Sequence, residues 1–183
     1  EHAGYIPTQL KRVGVYGATY ANNYFIDRVY PYLKMSGDHH YLQAQIGNEK
    51  DYLCAQVAYK LGFTGPAVSV QTACSSSLVA AYLACEGLLT FQADVALAGG
   101  VTLGFLQAHG YSPQGDKLVS QDGHCAPFSA EATGTVYSSG AGVVVLKRLE
   151  DALRDQDRVY AVIKGGAVNN DGGRRLGFVA PSV

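Results

Sequence analysis

Thr72-Ala73-Cys74-Ser75-Ser76-Ser77 stands between a short β-patterned run and a long apolar, helix-patterned one. Upstream, Pro66-Ala67-Val68-Ser69-Val70-Gln71 is small and β-branched and follows a Gly65-Pro66 turn signal. Downstream, Leu78 to Leu89 is dense in Leu, Val, Ala and Tyr and is long enough for a helix. A cysteine at such a strand-to-helix corner lies where unpaired N–H groups and the positive end of a helix dipole converge. That setting suits a nucleophilic sulfur and an oxyanion forming beside it, so Cys74 is the expected covalent nucleophile.

Strands and helices alternate around this corner. Arg12 to Gly17 reads as a strand, and Tyr20 to Gln45, with weak periodicity, as a loop holding a short helical piece. Asn48-Glu49-Lys50-Asp51 is expected to open a helix running to about Leu61. Asn48 would be its N-cap and Asp51 its first-turn acid, with Tyr52, Leu53, Val57 and Leu61 forming the apolar stripe. Asp94-Val95-Ala96-Leu97-Ala98, ending in Gly99-Gly100, has the wholly apolar character of a central strand buried on both faces. Gly140 to Leu146 reads as a second buried strand, Leu149 to Arg154 as a short helix and Val159 to Lys164 as a third strand. The irregular, polar stretch from Gly104 to Thr135, with Ser112-Pro113 and Ala126-Pro127, is of the length that usually carries function. The tail from Asn169 to Gly173 is turn chemistry, running on to Pro181-Ser182-Val183. This alternation is that of an α/β layered fold.

The 183 residues suffice for one sizeable core, and no composition shift divides them. A net charge of −1, with both signs mixed along the chain, gives no electrostatic reason to expect nucleic acid as a partner. No window approaches a membrane span, and Glu1-His2-Ala3-Gly4 is not the start of a signal peptide. Glycine, 22 of 183 residues or about 12 %, exceeds the usual ~7 % and clusters at strand ends, where the backbone turns tightly. Cys54, Cys85 and Cys125 are expected to be small buried hydrophobes in a reducing, cytoplasmic compartment. No cysteine pair has metal-ligand spacing, and His39-His40 lacks the partners of a metal site.

Five ordered runs carry a family resemblance. Asn48-Glu49-Lys50-Asp51-Tyr52-Leu53, the Thr72 to Ser77 stretch, Ala96 to Val101, Gly142 to Leu149 and Ala167-Val168-Asn169-Asn170-Asp171-Gly172 resemble the β-ketoacyl synthase domain of modular polyketide synthases. Val70-Gln71-Thr72 resembles synthases from mixed polyketide–peptide lines. The resemblance implies a thiolase-like fold, α-β-α-β-α in layers, with a mixed five-stranded sheet. Residues 1–183 would form the nucleophile-bearing, N-terminal portion of one domain. The implied reaction is decarboxylative Claisen condensation, with the acyl group on Cys74 and the Cys74 N–H as oxyanion donor. No cofactor is implied on the chain itself; substrates would arrive on the phosphopantetheine of an acyl carrier protein. The implied partners are that carrier, adjacent polyketide synthase domains and a second copy paired through the strand Ala67 to Thr72. Tyr111 falls near a position where the family lines its acyl tunnel.

Some family features differ here. The two histidine motifs of the family, His-Gly-Thr and Gly-His, do not occur; the histidines are His2, His39, His40, His109 and His124. Phe128-Ser129 replaces Phe-Asp, Thr133-Gly134-Thr135 replaces Asp-Gly-Thr, and Ser138-Ser139-Gly140 replaces Gly-Glu-Gly or Gly-Ser-Gly. Two other function classes are compatible with the chain. One is a non-catalytic ketosynthase-like dimerisation or interaction module. The other is a thiol hydrolase pairing Cys74 with His109 or His124, for which no acid is positioned to orient the histidine.

Overall fold

In a computed structural model, residues 3–10, 12–36, 40–104, 111–112 and 118–173 are described. Strand β1 (Val13–Thr19) lies inside a four-stranded sheet between β2 (Ala67–Ser69) and β3 (Val95–Thr102), and β4 (Gly140–Lys147) forms the far edge. β1 runs parallel to both neighbours, with Val15 beside Ala67 on one side and Leu97 on the other, whereas β4 is antiparallel to β3. The helices are α1 (Tyr30–Ser36), α2 (Tyr41–Asn48), α3 (Leu53–Leu61), α4 (Ser76–Leu89) and α5 (Leu149–Arg154).

Strand alternation divides the core in two. Val15 on β1 packs with Cys54 and Ala58 of α3. The next residue, Tyr16, packs with Ala80, Ala84 and Leu88 of α4 and with Ala96 and Ala98 of β3. Successive residues of a strand face opposite sides, so α3 and α4 cover opposite faces and the described chain is helix, sheet, helix. Ala80 and Ala84 are wholly buried, which lets α4 settle close against β1 and β3. One turn further on, a Cβ at Gly87 would run into the Tyr16 hydroxyl, so the approach at that point requires glycine.

The C-terminal end of α4 is held by Arg148. Its guanidinium donates to the carbonyls of Leu88 and Ala93, both at 2.8 Å, and to Asp94 at 3.1 Å, and also pairs with Asp151. It also lies over the Phe91 ring, 4.6 Å from its centroid. Charge-assisted bonds of this kind contribute about 1.5–3 kcal/mol each, and the planar fork suits a guanidinium better than a lysine ammonium. A neighbouring network joins distant parts of the chain. The Tyr5 hydroxyl donates to both carboxylate oxygens of Asp157, and Lys147 Nζ donates to Tyr5 Oη at 2.6 Å, to Asp157 at 2.7 Å and to Asp155.

Several sequence expectations are corrected by the fold. Residues 20–45 are largely helical rather than a loop: a π-helical turn (Phe25–Val29) leads directly into α1, and α2 follows. Such a turn interrupts the 3.6-residue period, which weakens the apolar pattern. Asn48 is not the N-cap of α3 but the last residue of α2, where its amide donates to Ala44 O and it receives the Asn22 amide. A 3₁₀ turn (Lys50–Tyr52) intervenes, and α3 buries Cys54 and Ala58 rather than Tyr52, which is exposed. β4 is an edge strand rather than a buried one, with Val143 65 % and Val144 51 % exposed. An apolar run shows that a strand can be covered on both faces, not what covers it. Residues 159–164 form no ladder, and the sheet has four strands among the described residues instead of five. Cys54 is buried as expected and Cys85 half-buried, but Cys125 is exposed. The expectations for residues 105–110, 113–117 and 174–183 lie outside the described residues.

Two measurements follow from this packing. Gly87→Ala gains about 1 kcal/mol of helix propensity but overpacks the Tyr16 contact at a cost of about 1–3 kcal/mol, so a net loss in denaturant titration is expected. Removing the opposing hydroxyl with Tyr16→Phe should recover part of that loss. The second measurement concerns pH. Burial raises the Asp157 pKa, but the bonds from Lys147 and Tyr5 outweigh it and leave Asp157 below the ordinary carboxylate range. A depressed carboxylate contributes stability that is present above its unfolded pKa of about 3.9 and is lost as pH falls through the folded value. Thermal melts should therefore show acid destabilisation that Asp157→Asn reduces; an unchanged acid dependence would contradict this assignment.

Candidate active site

Cys74 lies at the carboxyl-end side of the parallel strands. β2 ends at Ser69, the Val70 N–H still donates to Gly17 O at 2.8 Å, and the chain then turns into α4. A 3₁₀ turn (Ala73–Ser75) carries the cysteine and passes directly into Ser76, the first residue of α4. The start of α4 sits beside β3, since a Cβ on Gly100 would lie 3.4 Å from Ser77 Cβ.

The turn is strained. Ala73 has φ +54°, the left-handed region that costs an L-residue roughly 1–2 kcal/mol. Three serine and threonine side chains hold it there. The buried Ser76 hydroxyl accepts from the Thr72 N–H at 2.8 Å and donates to Ala73 O at 2.7 Å, spanning the strained residue. Ser75 Oγ donates to Thr72 O at 2.8 Å, with Thr72 Oγ1 3.0 Å away. At about 1 kcal/mol per neutral hydrogen bond, these contacts suffice to offset the backbone cost.

What this leaves open is chemically useful. Cys74 is an exposed free thiol. Among the described residues its N–H has no hydrogen-bond acceptor, and no side chain caps the start of α4. The thiol, an open amide and the positive end of a fourteen-residue helix thus share one turn, an arrangement that accommodates a developing anion. Of the buried and half-buried thiols, desolvation pushes Cys54 up, and desolvation together with the Glu86 charge pushes up Cys85.

The structure places the remaining candidates elsewhere. The Tyr111 hydroxyl donates to Ser120 O at 2.8 Å, so its hydrogen bond is to the 118–136 loop and not to Cys74. His124 is exposed, and its Nδ1 lies 3.0 Å from Asp122 O. His2, His39 and His109 lie outside the described residues, and among the described ones no three His, Cys, Asp or Glu side chains converge as metal ligands. The 118–136 loop is tied internally: buried Ser120 donates to Asp122 at 2.6 Å, and the Ser120 N–H donates to Thr135 O at 2.8 Å. The bond from Ser120 and the one from the His124 N–H hold Asp122 below the ordinary carboxylate range. Sequence reasoning marks the serine run but misses the roles of Ser75 and Ser76 and the left-handed Ala73. A serine directly after a candidate nucleophile at a helix start was the available signal.

Comparison with known proteins gives a uniform result. A family model described as beta-ketoacyl synthase, N-terminal domain, matches residues 1–152. The chain is 40 % identical over 189 aligned residues to a phenolphthiocerol/phthiocerol polyketide synthase of Mycobacterium tuberculosis, covering 100 % of this chain and 13 % of that protein. A second phenolphthiocerol/phthiocerol polyketide synthase of the same organism is 44 % identical over 184 residues, again across 100 % of this chain and 12 % of its own length. Among solved structures, ketosynthase twelve of the bacillaene polyketide synthase of Bacillus amyloliquefaciens superposes with a TM-score of 0.84 at 34 % identity, covering 98 % of this chain and 31 % of that one. The module 6 ketosynthase of the Bacillus subtilis bacillaene synthase gives 0.78 at 37 % identity, covering 98 % and 29 %. The chain therefore spans about an eighth of these curated relatives and under a third of the solved ketosynthases. By sequence and by fold, it belongs to the β-ketoacyl synthase family and corresponds to the N-terminal domain of polyketide synthase ketosynthases.

Proposed function

We propose that this chain supplies the acyl-accepting nucleophile of a polyketide ketosynthase that extends chains by decarboxylative Claisen condensation. The carrying observation is the exposed Cys74 thiol beside its own open N–H in the turn that starts α4. In the loading step the Cys74 sulfur attacks the thioester carbonyl of an acyl group borne on the phosphopantetheine of an acyl carrier protein. A carbon–sulfur bond to Cys74 forms, the bond to pantetheine breaks, and the pantetheine sulfur leaves with the proton that Cys74 gives up. The Cys74 N–H is the first donor to the tetrahedral oxyanion, in line with its unpaired state. In the second step a malonyl-type extender loses carbon dioxide. Its carbanion then attacks the Cys74 thioester, forming a carbon–carbon bond and releasing the Cys74 sulfur. Because the family's two histidine motifs are not in this sequence, the part assigned to these residues is acyl loading.

The partners belong to the same proposal: an acyl carrier protein, adjacent synthase domains and a second copy. Pairing through residues 67–72 is supported by the position of β2 at the sheet edge, with Ala67 and Val68 exposed. A cytoplasmic setting accords with the free cysteines, and among the described residues no helix is long and apolar enough to cross a membrane. The alternative of a purely structural module gains no support from a turn that spends backbone strain to keep a thiol open.

Incubation with an acyl-N-acetylcysteamine thioester, followed by peptide mass spectrometry, should show the acyl mass on the Cys74 peptide and none on Cys74→Ala. Acylation centred on Cys125, the other exposed thiol, would reject the assignment. For the second copy, Val68→Asp should shift the chain to smaller species in size-exclusion chromatography; an unchanged elution profile would remove β2 from the interface.

A further inference from the structure

The serine that closes the nucleophile turn is buried, whereas residues 71–75 around the thiol are exposed. Its hydroxyl works both ways: the single proton goes to Ala73 O and a lone pair receives the Thr72 N–H. The Ala73 carbonyl also accepts the Ser76 N–H, so the peptide group after the left-handed residue is fastened twice to the first residue of α4, and the Thr72 N–H, one peptide group further back, is fastened once. Nothing else among the described residues bonds the Thr72 N–H, and nothing in this arrangement touches the Cys74 sulfur.

We infer that Ser76 is a positioning residue for Cys74: its hydroxyl holds Ala73 in the left-handed conformation and thereby keeps the Cys74 thiol and N–H facing outward together. The inference rests on the reading of Cys74 as the acyl acceptor, and it adds a residue that controls how readily that thiol reacts. Without the hydroxyl, the turn can relax toward ordinary φ values, because an alanine has no preference for the left-handed region. The relaxed turn would carry the thiol and the amide away from their shared orientation, and displacements of about 1 Å at a reacting group can cost up to ~100-fold in rate. A glycine at position 73 takes the left-handed conformation without steric cost, so it should make the serine largely dispensable.

The test is the rate of carbamidomethylation of each cysteine by iodoacetamide, read by mass spectrometry. Ser76→Ala should slow labelling of Cys74 by roughly tenfold while Cys125, on a separate loop, keeps its rate and buried Cys54 stays protected. Adding Ala73→Gly to Ser76→Ala should restore most of the lost rate. Wild-type labelling of Cys74 in Ser76→Ala would overturn the inference, as would a double variant that stays as slow as the single one. Should Ser76→Ala expose Cys54 by unfolding, Ala73→Gly with and without Ser76→Ala carries the comparison: equal Cys74 rates support the inference and a slower double variant overturns it. The acyl-transfer assay on the wild-type chain separates the two levels. Failure of acyl loading with these alkylation differences intact removes the acyl-acceptor reading and leaves the role of Ser76 standing.

Discussion

The close seating of α4 on the sheet is the constraint from which the rest of the site follows. Alanines at positions 80 and 84 and a glycine at 87 present almost no side chain to β1 and β3, and Tyr16 fills the space under the glycine. A helix held this near the strands has little freedom to slide or tilt, because dense packing leaves no alternative seating of similar energy. Its first turn is therefore delivered to one place, beyond the carboxyl ends of β1 and β2, the side of a parallel sheet where α/β proteins commonly bind their ligands. Cys74 inherits that position.

The two ends of α4 are treated differently. At the C-terminal end, Arg148 bonds the Leu88 carbonyl and the nearby Ala93 carbonyl and pairs with Asp94 and Asp151, so a cation sits against the negative end of the helix. At the N-terminal end the hydroxyls of Ser75 and Ser76 bond backward to Thr72 and Ala73 rather than forward to the helix N–H groups. A conventional N-cap would have occupied the second or third N–H of the helix, which no cap side chain bonds here. The same helix is thus closed where it is structural and open where it meets the thiol, and the strain of Ala73 is confined to the open end.

Some of this was legible in the residues. The β-branched run before Cys74, the turn signal at Gly65-Pro66 and the apolar run after the serines located the corner, and the five ordered motifs located the family. The central strand at β3 and the short helix α5 were also readable, because their patterns are local. The helical stretch at α1 and α2 was not, since a π-turn shifts the phase of the apolar residues. Nor could the buried side of α4 be read: with apolar residues all round, nothing marks Ala80 and Ala84 as inward and Leu78 and Leu89 as outward. Bulk would have suggested the opposite choice, and only close packing on a sheet rewards the smaller side chains. The exposed valines of β4 make the same point, because an apolar run states a capacity for burial and not a partner.

The residues alone carry the family, the α/β layering and the place of the strand-to-helix corner that holds Cys74, because each depends on residue type, order or local period. Tertiary structure alone settled the left-handed Ala73, the bridging Ser76 and the anchoring of α4 by Arg148. Those features join groups through backbone conformation or across sixty residues of chain separation, as from Leu88 to Arg148. No spacing rule encodes such a meeting; it exists only once the helix has been packed onto the sheet.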